Sequence, residues 1–362
     1  MSMSFSLVSR LILSRFSSRG WMYSIRVLFF YVRLLVVYST PQKFINAAGC
    51  KIQKWMRRDM VWGMPYRYTI DPLNICNLHC PLCPTGLGIL GREKGKMSLD
   101  NFKALIDQIA SYAYIVEMYN WGEPFLHGDI FDMIHYAHSR KMAVRLSTNL
   151  NRFNQEMAIE TIKSGLDAIN ISVDGVTQET YERYRRGGKL SKVIDNIKTL
   201  VEEKENAKSH TPFITLRMLV NRYNEYEISR MRELAKILKV DAFSIGTTFV
   251  DTTNGDQVKE WLPLSEAYSS YDYSSDQPEN VWHCADLWES VTINWDGGLA
   301  PCCWLHQKGH DFENAFDHPI KIIWNGDAYQ SSRRVFAFRG PKEGTISTIC
   351  TRCKGKPLYL KD

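Results

Sequence analysis

Two rhythms of hydrophobic and polar residues interleave between residues 66 and 248. Short runs rich in β-branched and aromatic residues read as strands: Arg67–Ile70, Tyr114–Tyr119, Ala143–Leu146, Ala168–Val173, Phe213–Val220 and Ala242–Ile245. The segments between them carry the helical period. Ser98 is an N-cap candidate for the first, and Gly165 closes the helix Asn154–Ser164. Ile130–Arg140, Gln178–Arg185, Ser191–Glu205 and Glu225–Leu238 supply the others. Strands alternating with amphipathic helices predict parallel βαβ units and an α/β class. Six such units are too few for a complete eightfold barrel. They fit a partial (β/α)6 TIM-like barrel or a doubly wound sheet. In either, functional loops lie at the carboxyl ends of the strands.

The flanks follow other patterns. In residues 5–40 arginines recur every four to seven positions among Leu, Ile, Phe, Val and Trp, and the longest uncharged apolar stretch is Val27–Val32. That is the pattern of an amphipathic helix in a membrane interface. A basic helix packed on the protein's own body and a targeting arm are the other readings. A secretory signal fits poorly, because the basic residues are spread through the apolar run. Residues 251–280 are polar, rich in Ser, Asp and Tyr, and read as a linker. The last eighty residues are Cys- and Trp-rich without clear periodicity, as in a small metal-stapled module. The expected division is an N-terminal arm (1–62), a core (63–250), the linker (251–280) and the module (281–362).

Composition excludes disordered, collagenous and coiled-coil classes: 44% of the 362 residues are hydrophobic and 23% charged. No apolar run is long enough for a simple spanning helix. The net charge of +6 is uneven. Residues 1–60 hold ten basic residues and one acid, Asp59, so the other 302 residues carry a net −3. A nearly neutral body does not suggest a nucleic-acid partner. Nine cysteines in two tight groups plus Cys50 fit metal binding in a reducing compartment better than a disulfide framework.

Cys76-Asn-Leu-His-Cys80-Pro-Leu-Cys83 spaces three cysteines C-x3-C-x2-C directly after the first strand. Three thiolates on one loop can converge on three irons of a [4Fe–4S] cluster and leave the fourth iron open. Zinc competes, but structural zinc needs four ligands and usually takes C-x2-C pairs. His79 beside Cys80 would strain the loop as a ligand. This spacing resembles the radical S-adenosylmethionine (SAM) superfamily. The resemblance covers residues 66–248 and implies a cluster whose open iron chelates SAM. Reductive cleavage of SAM there gives a 5′-deoxyadenosyl radical, which abstracts hydrogen from substrate. Further motifs follow in order. Asn120-Trp-Gly122-Glu123-Pro124 resembles the Gly-Gly-Glu-Pro element that contacts the cofactor's amino group, with Trp121 where Gly is common. Ser147-Thr-Asn149 is similar to a Thr-Asn-Gly element. Ser172-Val-Asp174-Gly175 resembles the Ser-x-Asp-Gly element near the methionine carboxylate. The resemblance also implies Leu82 against the adenine and Arg185 as a carboxylate partner. Taken singly, Ser172 reads as a strand-end hydroxyl, Asp174 as a helix cap and Arg185 as a solvated helix residue.

In the C-terminal module Asp296-Gly297 marks a hairpin between Val291–Ile293 and Leu299–Ala300. It brings Cys302 toward Cys284, and Cys350-x2-Cys353 completes four thiolates. Four thiolates hold zinc or an iron–sulfur cluster. The order of these motifs resembles the SPASM or twitch auxiliary domain. That implies one fully ligated auxiliary [4Fe–4S] cluster on Cys284, Cys302, Cys350 and Cys353, two clusters in all, with Cys303 spare. The cysteine economy is similar to that of deoxy-scyllo-inosamine dehydrogenase. It implies two-electron oxidation or modification of a sugar, cyclitol or lipid-linked polar substrate, with the auxiliary cluster accepting an electron. Peptide maturation by the same chemistry is the alternative. A membrane-associated metal-binding protein without turnover is the alternative of another class. A one-electron reductant such as flavodoxin or ferredoxin is expected, and so is a cytoplasmic location, peripheral on the inner face of the membrane if the arm binds anionic lipid. Tyr119, Arg217, Trp282 and His283 are pocket candidates. No catalytic base is assigned.

Overall fold

The computed structural model describes residues 21–248, 250, 254–269, 284–337 and 344–353. Six parallel strands form its centre: β1 (Arg67–Ile70), β2 (Ile115–Glu117), β3 (Ala143–Thr148), β4 (Ala168–Ser172), β5 (Phe213–Val220) and β6 (Ala242–Thr247). Each pairs with its sequence neighbour, and the sheet does not close from β6 back to β1. This is a partial barrel. The helices between the strands start and stop on local chemistry. Ser98 accepts from Asn101 N, Asn154 from Met157 N, and Thr177 from Thr180 N. Gly165 ends its helix at φ +83°.

The strands alternate faces. Tyr68, Ile70, Val116, Val144, Leu146, Ile169, Ile171, Ile214, Leu216 and Met218 pack into one core with the apolar helix faces, among them Phe102, Leu105, Ile106 and Ile109. The opposite face, lining the inside of the barrel, carries polar residues instead.

The C-terminal module is not a separate layer. Its strand β7 (Ser290–Ile293) lies parallel to β1 on the edge that β6 leaves open, in register Tyr68↔Val291. The hairpin expected at Asp296-Gly297 continues the sheet through β8 (Gly298–Ala300) and β9 (Glu313–Asn314), with Gly297 at φ +83°. One nine-stranded sheet therefore spans both parts. The chain after the cysteine loop is clamped to this hairpin by Arg92, only 3% exposed, which pairs with Asp296 and Asp311.

Two expectations change. Where it is described, the N-terminal arm is not only an interfacial arm. Helices α1 (Trp21–Tyr38) and α2 (Pro41–Trp55) pack against it. Phe30, Leu34 and Tyr38 close the amino-terminal end of the barrel over Ala143, Ala168 and Phe213, the first residues of β3, β4 and β5. Phe30 and Phe213 stack at 4.8 Å, and Tyr38 donates to Asp167 at 2.7 Å. The apolar run thus fills a barrel end that six strands leave open. Residues 1–20 lie outside the described residues. Nor is 251–280 only a linker. Its helix Gly255–Trp261 buries Trp261 and Leu262 beside Leu78, Cys80, Leu82 and Tyr184. Apolar residues spaced among acids hid that helix. Residues 251–253 and 270–280 lie outside the described residues, as do Trp282 and His283.

Candidate active site

The three cysteines of the first group lie on the loop at the carboxyl end of β1, where functional loops are expected. Pro84–Leu87 forms one helical turn with Cys83 as its N-cap, and Gly86 is required because a Cβ there would lie 2.4 Å from Cys80 O. The sulfurs face donors: Leu78 N at 3.4 Å and Asn149 Nδ2 at 3.7 Å from Cys76, and Arg185 Nη1 at 3.9 Å from Cys80. Burial pushes the Cys76 thiol up to about 11 and Cys80 up to about 12, so the free loop favours neutral thiols. His79 is exposed, as a loop residue should be.

The loop after β2 docks on this one. A Cβ at Gly122 would stand 2.0 Å from Leu73 O, so only glycine permits the approach. Thr85 donates to Trp121 O. The carboxylate of Glu123, a residue expected at the cofactor, is buried. It accepts from Thr148 Oγ1 at 2.6 Å, Asn149 N at 2.7 Å and Phe125 N at 3.3 Å. Burial raises its pKa and these donors oppose the rise. Glu123 is therefore a brace between the second and third loops.

Asp174 is likewise turned inward. It pairs with Arg185 Nε and accepts from Leu219 N at 2.6 Å, while Thr177 does the helix capping. Arg185 is held by Asp174 against Cys80 rather than solvated. Ser147 and Ser172 lie at the strand ends on the inner face, partly open and with no protein partner for either hydroxyl among the described residues. Leu82 is buried beside Tyr184 and Trp261.

Asp71, Thr148, Asn149 and Trp261 carry much of this architecture. Asp71 follows β1 directly and accepts from Trp121 N at 3.3 Å. Burial pushes its carboxyl up to about 7, with the backbone N–H groups of Trp121 and Gly122 opposing. An acid at the carboxyl end of a predicted strand was the available signal.

None of the nine cysteines is in a disulfide. Cys350 is raised up to about 12, first by burial and further by Cys284 and Cys353. Cys302 is raised well above its ordinary value by burial, with Cys350 among the neighbours that add to it. These four thiols are one electrostatic neighbourhood. Cys303 adjoins Cys302 and shares Asp286 with it, but its other neighbours are Glu117 and Arg67 inside the barrel.

A profile of the radical SAM superfamily matches residues 70–235, and one of an iron–sulfur cluster-binding SPASM domain matches residues 284–354. The chain carries a radical SAM domain followed by a SPASM domain. It is 24% identical to Fe-coproporphyrin III synthase of Methanosarcina barkeri, over 88% of this chain and 86% of that one. It is 22% identical to PqqA peptide cyclase of Streptomyces rochei, over 82% and 83%. Its fold resembles that of Streptococcus suis SuiB bound to S-adenosylmethionine: TM-score 0.60 at 14% identity, covering 93% of this chain and 79% of that one.

The radical SAM domain brings a [4Fe–4S] cluster and SAM, and the SPASM domain brings auxiliary iron–sulfur chemistry. The donor sets fit. Among the described residues no three His, Cys, Asp or Glu side chains gather around one metal ion. The fit rests on donor chemistry: three thiols on one loop, Cys80 buried and Cys76 and Cys83 half-buried, four in the module, and N–H groups aimed at the first set.

Proposed function

We propose that this radical SAM enzyme matures a peptide, with Cys76, Cys80 and Cys83 holding the catalytic cluster and Cys284, Cys302, Cys350 and Cys353 an auxiliary one. The observation that carries the catalytic part is the three-thiol loop at the carboxyl end of β1, braced on the second and third loops through Gly122 and Glu123. When bound, the first cluster supplies the electron that splits SAM and yields the hydrogen-abstracting radical. The protein's own groups do the rest. The backbone at Gly122 borders the site, and the Ser147 and Ser172 hydroxyls are open to a polar ligand. Arg185 and Asn149 place N–H donors on the sulfurs.

The peptide substrate is supported by the relative that acts on a PqqA peptide. A sugar, cyclitol or lipid-linked substrate rests on the cysteine count alone. The test is anaerobic incubation of the reconstituted enzyme with SAM, a reductant and peptide fractions from cells grown in deuterated amino acids. Deuterium in 5′-deoxyadenosine from the peptide fraction supports the reading. Deuterium transfer only from a sugar or lipid fraction overturns it.

Membrane docking is part of the proposal. No helix among the described residues is long and apolar enough to cross a membrane. The outward faces of α1 and α2 are nevertheless apolar: Trp55 is 79% exposed, Val36 75% and Phe29 69%, with Phe44, Ile45 and Trp62 beside them in sequence. No acid precedes Asp59, which suits an anionic lipid surface. Lys51 and Lys54 are excluded from that role because both pair with Glu289. Replacing Phe29, Val36 and Trp55 with Ser should abolish co-flotation with phosphatidylglycerol vesicles and leave folding intact. Unchanged flotation contradicts docking. Deletion of residues 1–45 is a poorer test, since it also unplugs the barrel.

A further inference from the structure

Inside the barrel, three arginines face two carboxylates. Arg67 on β1 pairs with Asp286 of the C-terminal module at 2.9 Å. Arg145 on β3 pairs with Glu117 on β2 at 3.1 Å, and Tyr119 donates to the same carboxylate at 3.2 Å. Burial works against the charge on Arg145, and Glu117, Tyr119 and Tyr31 together more than offset it. Its Nε stays buried with no acceptor.

Arg217 on β5 has neither a carboxylate nor any hydrogen-bond acceptor for its side chain among the described residues. It is exposed to the interior, in register with Ser172 on β4. The neighbouring strand makes room for it. A Cβ at Gly246 on β6 would lie 2.9 Å from Arg217 Nη2, so a larger residue would crowd the guanidinium. Tyr119 lies within its electrostatic reach. Three guanidiniums against two carboxylates leave one positive charge. The planar guanidinium fork matches the paired oxygens of a carboxylate, whose single negative charge equals the one left over.

We infer that Arg217 binds a carboxylate of the substrate, within the barrel and beside the strand that carries Ser172. The inference rests on the radical-enzyme reading and narrows its substrate class. A carboxylate of this kind comes from a peptide or from a tetrapyrrole propionate, and the test separates them.

The experiment measures phenylglyoxal modification of Arg217 in the anaerobic holoenzyme by peptide mass spectrometry. The probes are N-acetylphenylalanine with its amide as neutral control, coproporphyrin III with its tetramethyl ester, and SAM alone. A carboxylate at roughly ten times its Kd should slow modification about tenfold, while its neutral control leaves the rate unchanged. Protection by N-acetylphenylalanine identifies the peptide source, and protection by coproporphyrin III alone identifies the tetrapyrrole. Equal protection by acid and neutral control, or none by either acid, overturns the inference. So does full protection by SAM alone, which would make Arg217 a cofactor contact. Uncoupled SAM cleavage, measured in the same samples, reports separately on the radical reading.

Discussion

The neighbouring thiols Cys302 and Cys303 face different surroundings, and their roles should separate in one assay. Cys302 belongs with Cys350, whereas Cys303 sits near Glu117 and Arg67. Two [4Fe–4S] clusters hold about eight irons per chain. Cys302→Ser should therefore fall to about four irons, and Cys303→Ser should stay near the wild-type content. The reverse pattern would reassign the ligand. Asp71 makes a second residue-scale prediction. Its folded carboxyl titrates at about 7, against about 3.9 in an unfolded chain. Between those values the folded state holds the extra proton, so raising pH through the window costs stability. From pH 5.5 to 7.5 the holoenzyme's unfolding midpoint should fall more steeply for wild type than for Asp71→Asn. Parallel curves would show that Asp71 is not strained by burial. The cysteine spacing and the strand-end motifs were legible because each is a short pattern with fixed chemistry. What Glu123 and Asp174 do was not legible. Their motifs suggested cofactor contact, but whether a carboxylate faces a ligand or a neighbouring loop depends on chain segments brought together only by folding.

At the scale of elements, the loop–hairpin clamp is the most exposed to test. Arg92 is buried between Asp296 and Asp311, and Asp311 is itself pushed up to about 6, chiefly by burial. Removing the arginine leaves two carboxylates near each other with only the exposed Lys308, 3.8 Å from Asp296, as counter-charge. Arg92→Met should cost about 3–5 kcal/mol, read as a lower guanidinium midpoint of the holoenzyme under anaerobic conditions. A change within error would mean that water replaces the clamp. Periodicity located the six barrel strands and their helices to within a few residues, since strand and helix periods are local properties. It could not show that β7 joins β1, because that pairing spans more than two hundred residues. Nor could it show that the helix Trp21–Tyr38 closes the barrel. The same amphipathic pattern serves a bilayer or a protein surface, and here one face of the helix meets the barrel while the other stays apolar and exposed.

Across the whole molecule, the open edge of the partial barrel, the auxiliary module and the N-terminal helices solve one geometrical problem. Six strands leave a gap and an uncovered end. The module's β7 extends the sheet beyond β1 and α1 covers the amino-terminal end, opposite the cysteine loop. A radical generated there would be shielded from bulk solvent by the protein's own walls. The most direct measurement is anaerobic turnover of the reconstituted protein with SAM and dithionite, read as 5′-deoxyadenosine by chromatography. The account predicts steady formation of 5′-deoxyadenosine by the wild type, even without substrate, and none by Cys80→Ala. Intact SAM in the wild-type reaction, with both clusters verified by iron content, would contradict it.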